Sequence, residues 1–181
     1  MRVSKDTASS AEEWSALALQ VLALTAVYLG TGRLALEYTF NQTIATLLWP
    51  PVGIALASLL IWGRRLWPGA WLGSFGSVAL HGVPVPFAMG IATGTALMVF
   101  VGALLLERVF AFRASLERVR DVLVLVLVGG ALAALIAASV GTTMVWLAGR
   151  VPTSEIGRVF SVWWRGDFGS VVAFAPLILL M

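Results

Sequence analysis

The sequence has no cysteine and only one histidine, His81, in 181 residues. Without cysteine there can be no disulfide framework, thiolate nucleophile or Cys-based metal site, and the redox compartment stays undetermined. A single histidine also argues against a zinc site built on a histidine pair. His81 stands beside Gly82 and close to Pro84, which favours a loop or interface residue over a metal ligand. The sequence therefore predicts no metal and no cofactor.

Charge is scarce as well: 12% of the residues are charged and 60% are hydrophobic, with eight tryptophans. A soluble domain of this size does not need so much apolar surface. The pI of 10.2 could suggest nucleic acid, but the net charge is only +3 and the basic residues stand between apolar runs. That arrangement is typical of membrane topology, so the expected partner is a lipid bilayer and not a nucleic acid.

Catalytic patterns are also missing. The chain contains no Gly-x-Ser-x-Gly elbow and no phosphate-binding Gly-x-x-x-x-Gly-Lys loop. Glu37 and Asp167 make only a weak acid-base or metal pair, because no chemical partner accompanies them. Residues 1–181 are therefore not expected to form an enzyme.

Six apolar segments predict an all-α integral membrane protein with about six transmembrane helices. A polar segment, residues 1–13, precedes a transmembrane domain over residues 14–181, and Ser-x-x-Glu spacings before Glu13 resemble a capping box that opens the first helix. The segments are approximately Trp14 to Leu36, Ile44 to Trp62, Trp67 to Leu80, Val85 to Leu106, Val122 to Leu147 and Val159 to Met181.

The basic residues indicate the orientation. Eight of them precede the first segment or lie in the second and fourth connections: Arg2, Lys5, Arg64, Arg65, Arg108, Arg113, Arg118 and Arg120. The alternate connections hold only Arg150 and Arg158. The positive-inside rule therefore places both termini of a multi-pass membrane protein in the cytoplasm.

The second and third helices are expected to be short or kinked. Proline lacks the N–H that a helix needs, so Pro50-Pro51 must break, kink or begin a helix. From Pro51 to Trp62 a helix covers about 18 Å, less than the roughly 30 Å of hydrocarbon. Either the run from Ile44 to Trp49 continues the helix through a kink, or the helix is discontinuous.

Small residues recur at four-residue spacing on three of the predicted helices. This pattern favours close helix packing over any binding role. The rows are Gly69, Gly73 and Ser77; Gly90 and Gly94; and Gly129, Ala133, Ala137 and Gly141.

Ionisable groups within a membrane are costly and point to function. Arg33 and Glu37 can meet on one helical face, and Asp167 needs a partner, for which Arg33 is the candidate. We expect an outward-facing polar vestibule that is closed below by Pro50-Pro51. The alternative is that the charges only fasten helices and the tryptophans form an interfacial belt. The candidate ligand-binding or signalling residues are Arg33, Glu37, Trp49, Pro50, Pro51, His81, Trp164, Arg165 and Asp167.

Three separated patterns resemble the MASE family, the membrane-associated sensor domain of type one. They are Trp49 to Ala57, Gly63 to Gly73, and Trp163 to Gly169 followed by Ala175-Pro176-Leu177. The resemblance covers roughly Ala18 to Leu180. The matching positions are Trp49, Pro50, Pro51, Gly53, Trp67, Pro68, Gly69, Gly73, Trp164, Gly166, Asp167, Gly169 and Pro176; Arg165 departs from the pattern.

The resemblance implies an input module of a bacterial signalling protein, such as a two-component system. Kinase or cyclase activity would belong to a histidine kinase or diguanylate cyclase domain beyond Met181, and the full-length protein would be a homodimer. A small-molecule ligand or a membrane protein would be sensed from the non-cytoplasmic side. The alternatives are a small transporter or a substrate-binding transporter subunit, which broken, glycine-rich helices would also suit, and a structural anchor.

Overall fold

The structure is a computed structural model that describes the backbone of residues 3–37 and 49–181 and the side chains of residues 12–35 and 49–181. The described residues form six helices and no strand, which confirms the all-α prediction. The helices are α1 (Val3–Glu37), α2 (Pro50–Trp62), α3 (Trp67–Leu80), α4 (Val85–Arg108), α5 (Val119–Leu147) and α6 (Ile156–Leu179). Within α5, Leu125–Leu132 is a π-helix.

Three helical stretches are long and apolar enough to cross a membrane: Glu12–Ala35, Val85–Arg108 and Val119–Leu147. Helix α2, with 13 residues, and helix α3, with 14, are shorter. At 1.5 Å per residue each covers about 20 Å. The fold is thus that of a membrane protein with two short helices, while the number of six spans stays a prediction.

The first helix begins earlier than the capping pattern predicts. Helix α1 already includes residues 9–13, so the predicted helix start beside Glu13 is wrong. No glycine or proline occurs between Val3 and Glu13. Nothing in this segment therefore interrupts the helix before the apolar run begins.

Helices α1 and α3 lie side by side and run in the same direction. A Cβ placed on Gly69 would lie 2.9 Å from the carbonyl oxygen of Val21, and one on Gly73 would overlap Tyr28. One turn further along both helices, a Cβ on Gly32 would lie 2.8 Å from Oγ of Ser77. The row of small residues on α3 therefore packs against α1, as its spacing predicts.

The other two glycine rows also lie at helix contacts. Gly90 and Gly94 of α4 face Met144 and Val140 of α5, so these two helices are antiparallel. Gly141 of α5 faces the ring of Trp163 in α6. Packing is thus their structural role.

Helix α2 lies at the centre of the bundle, where it packs against α1, α4 and α6. Eight of its residues, including Val52, Leu56 and Leu59, are buried. Leu56 also lies beside both Gly102 of α4 and Gly129 of α5. A short helix is therefore packed among longer ones; its first residue, Pro50, is half-buried and the next, Pro51, is buried.

Candidate functional site

The candidate site begins at Trp49, the residue before α2. Its backbone is not helical, with φ −120° and ψ 76°, and α2 starts at Pro50. The run from Ile44 to residue 48 lies outside the described residues, so whether it continues the helix through a kink stays a prediction. The N–H of Trp49 donates to the carbonyl oxygen of Gly166 in α6, at 3.4 Å. Its indole Nε1 donates to the hydroxyl of Tyr28 in α1, at 3.0 Å, and the two rings meet edge to face. Trp49 thus joins α1 to α6 at the start of α2.

The prolines explain how a helix can start in the interior. The first residues of a helix leave their backbone N–H groups without partners inside the helix. Pro50 and Pro51 have no N–H, so they leave no such group. The N–H of Val52 donates to the carbonyl oxygen of Trp49, and the N–H of Gly53 donates to Oγ of Ser170, at 2.9 Å. That hydroxyl in turn donates to the carbonyl oxygen of Pro50, at 3.2 Å.

Asp167 of α6 directly follows Gly166, whose carbonyl oxygen accepts the hydrogen bond from Trp49. Its side chain is 1% exposed, and its Oδ2 has no hydrogen-bond partner among the described residues. The carboxyl group lies close enough to the Tyr28 phenol to interact with it electrostatically. Burying a carboxyl oxygen without a partner costs free energy. A hydrogen-bond donor or a positive charge placed beside this oxygen would therefore stabilise the structure.

Two further hydroxyl groups extend this polar cluster. Ser74 of α3 donates to Thr95 of α4, at 3.2 Å, and both residues are buried. Both hydroxyls also lie near the phenol of Tyr28. We call Tyr28, Trp49, Ser74, Thr95 and Asp167 the buried polar cluster. It joins side chains from α1, α3, α4 and α6 to Trp49, the residue before α2.

Trp164 lies next to the cluster and contacts the π-helical part of α5. Its Nε1 donates to the carbonyl oxygen of Ala131, at 2.8 Å. Its ring stacks on Phe168, with centroids 5.5 Å apart and planes 6° apart. π-Helical turns shift the backbone hydrogen bonds and are frequent at functional sites. Trp164 is therefore held in the bundle by a hydrogen bond, which a simple belt residue would not need.

The remaining predicted site residues lie elsewhere. Arg165 is exposed and donates to Oγ of Ser161, at 3.3 Å. His81 is exposed at the end of α3, and its Nδ1 donates to the carbonyl oxygen of Ser77, at 2.7 Å. Arg33 is exposed, and the side chain of Glu37 lies outside the described residues. Within the described part of the chain, no hydrogen bond joins Oδ2 of Asp167 to Arg33.

Sequence reasoning missed three members of the cluster, Tyr28, Ser74 and Thr95. Each is a polar side chain inside an apolar segment, and the apolar pattern predicts only a membrane span there. A signal was present, because polar groups within the hydrocarbon region must find partners and are usually turned toward other helices. Ser170, which satisfies the start of α2, could have been found in the same way.

The motifs that converge here, Trp49 to Gly53 and Trp164 to Asp167, are those that carry the family resemblance. The MASE1 family model matches residues 17–181. The chain belongs to the MASE1 family. Comparison with curated proteins and with solved structures gave no significant match.

MASE1 domains are membrane sensor domains of signalling proteins, and the geometry suits binding better than catalysis. The described residues hold no group of three or more His, Asp or Glu side chains that could bind a metal ion. The cluster instead offers one carboxyl oxygen without a partner, hydroxyl groups and aromatic faces. Such groups can accept a hydrogen bond and stack on a ligand, but they provide no nucleophile with its base.

Proposed function

We propose that this MASE1 domain is the transmembrane input module of a bacterial sensor histidine kinase. A diguanylate cyclase is the alternative output domain. It binds a small ligand or a membrane partner from the non-cytoplasmic side. Binding shifts α6, which passes the signal to an output domain that follows it. The full-length protein works as a homodimer in the inner membrane.

One observation carries the proposal: Oδ2 of Asp167 is buried on α6 and has no hydrogen-bond partner among the described residues. A buried polar group without a partner is rarely kept for stability, because it lowers stability. It gains free energy when a donor reaches it or when the helices rearrange to pair it. Asp167 can therefore favour one helix arrangement in the absence of a signal and another in its presence.

Helix α6 is suited to transmit that shift. It packs against α2 and α5 and touches the start of α2 at Gly166 and Ser170. From Asp167 to its end at Leu179 the helix is about 18 Å long. A ligand needs only a tighter fit to one arrangement to change the position of this end and of the chain beyond it.

The test is Asp167→Asn in the full-length protein. Asparagine keeps the shape but replaces the ionisable carboxyl group with an amide that also donates hydrogen bonds, so the balance between the two arrangements should change. We expect basal output, measured as autophosphorylation or cyclic dinucleotide synthesis by membranes, to change at least about threefold, since about 0.7 kcal/mol is enough for such a shift. The amount of protein in the membrane should stay the same.

Asp121→Asn is the matched control. Asp121 is also 1% exposed, and its Oδ2 also has no hydrogen-bond partner among the described residues, but it lies in the first turn of α5 and is not part of the buried polar cluster. Its replacement tests the general effect of losing a buried carboxylate. Unchanged output in Asp167→Asn, or an equal change in both variants, would reject a signalling role for Asp167.

A transporter is the second candidate, because α2 covers only 13 residues and its second residue, Pro51, is buried. Interrupted helices of this kind form substrate sites in transporters. Solute flux through the purified domain in liposomes would support transport. A domain that alters output without any flux would support the sensor.

A further inference from the structure

A second polar site lies at the turn between α2 and α3, at the end of the bundle that carries the basic connections. Here an open cavity of about 630 Å³ is bordered by charged and aromatic side chains. None of them belongs to the buried polar cluster. The lining includes Trp62, Arg64, Arg65, Trp67, Phe100 and Glu107.

Arg64 is held in a fixed position in this cavity. Its Nε lies 3.0 Å from Oε2 of Glu107, at the end of α4, and its guanidinium lies 5.8 Å from the centre of the Phe100 ring. The turn that presents it passes through Gly63, whose φ of +99° favours glycine. An arginine fixed by an acidic and an aromatic neighbour keeps its remaining N–H groups pointed in set directions.

Arg65 supplies the second positive charge and is exposed. Two arginines and one glutamate leave the lining with an excess of one positive charge. Planar guanidinium groups bind phosphate oxygens through paired hydrogen bonds. The polar part of the cavity therefore suits a phosphate group with a single negative charge.

The rim of the cavity is apolar and faces outward. Trp62 is 57% exposed and Trp67 is 44% exposed, on either side of the turn. Tryptophan is enriched where membrane meets water, because one part of the ring is apolar and the N–H is polar. Ile61, at 42%, and Leu72, at 41%, are further exposed apolar side chains on α2 and α3.

We propose that this cavity binds the head group of an anionic phospholipid. The phosphate accepts hydrogen bonds from Arg65 and from the fixed guanidinium of Arg64, and the acyl chains lie along the apolar surface beside Trp62 and Trp67. Basic pockets between membrane helices on the cytoplasmic side bind such head groups. A free phosphate would use the same arginines but would gain nothing from the exposed tryptophans, so the geometry favours the lipid.

Native mass spectrometry of the purified chain in detergent tests this proposal with phosphatidylglycerol and phosphatidylcholine as probes. We expect the apparent Kd for phosphatidylglycerol to be about fivefold lower, the effect of roughly one basic residue at a membrane surface. In Arg65→Gln the preference should fall to nearly one. Because Arg65 is exposed, the variant should fold normally.

Arg113→Gln is the matched control, since Arg113 is an exposed arginine in the connection between α4 and α5. It should keep the full preference. An equal loss in both variants would mean general charge attraction and would overturn the site, as would a preference that survives Arg65→Gln. Tighter binding of inorganic phosphate than of phosphatidylglycerol would assign the site to a free phosphate and overturn the lipid proposal.

Discussion

Gly53 shows how one residue fixes the packing of two helices. A Cβ at this position would overlap the carbonyl oxygen of Ser170, which belongs to the backbone of α6. A flexible side chain could move away, but a backbone carbonyl in a packed helix cannot do so cheaply. The glycine of the Trp-Pro-Pro-x-Gly motif is thus required by the close approach of α2 and α6.

Gly53→Ala should therefore destabilise the domain by about 1–3 kcal/mol, the usual cost of overpacking. Thermal unfolding in detergent measures the loss. Gly30→Ala is the matched control, because nothing lies within 4 Å of a Cβ at that position in α1. A Gly53→Ala protein as stable as the Gly30→Ala protein would contradict the packing argument.

At the scale of helices, the sequence predicts more of the fold than of the site. The third segment, Trp67 to Leu80, is a helix with the predicted bounds, because Pro68 favours its start and the apolar run defines its length. The sequence leaves the start of α2 open, because one contact that supports it, with Ser170, comes from more than 100 residues away along the chain. Local patterns do not contain such a contact.

The same limit explains why the predicted site residues lie on different helix faces. Arg33, Arg165 and His81 share a predicted depth with Asp167, but depth alone does not say which side of a helix faces the interior. The structure turns these three outward and turns Tyr28 and Asp167 inward. Helix faces depend on which helices become neighbours, and that information comes from tertiary packing.

Ser170 is the test of how α6 supports α2. Its hydroxyl accepts from the N–H of Gly53 and donates to the carbonyl oxygen of Pro50, so Ser170→Ala leaves the buried N–H of Gly53 without this partner. We expect a loss of about 1–3 kcal/mol in the free energy of unfolding, measured with denaturant in detergent.

Ser58→Ala is the control for this prediction. Ser58 is also buried, but its hydroxyl only returns to Ile54 in its own helix, where the carbonyl keeps its helical partner. Ser58→Ala should therefore lower the free energy of unfolding by much less than Ser170→Ala. Similar losses in the two variants would show that any buried serine matters and that the contact to α2 does not.

At the scale of the whole molecule, the helix directions support the predicted topology. Arg64, in the connection between α2 and α3, pairs with Glu107 at the end of α4, so these two connections share one end of the bundle. At the opposite end Arg150, after α5, donates to the carbonyl oxygen of Gly82, before α4. The connections thus separate into two groups as the distribution of arginines predicts, although the side on which each group lies is still a prediction.

Cysteine labelling in intact cells tests the sides directly, because the chain has no cysteine of its own. Arg113→Cys lies in the basic connection after α4 and Ser154→Cys in the connection before α6, and both positions are exposed. A thiol reagent that does not cross membranes should label Ser154→Cys at once and Arg113→Cys only after the membrane is opened. The opposite result would invert the topology, place the proposed lipid cavity in the outer leaflet and turn the candidate sensing face toward the cytoplasm. Equal labelling of both positions in intact cells would instead remove the separation of sides on which the sensor proposal depends.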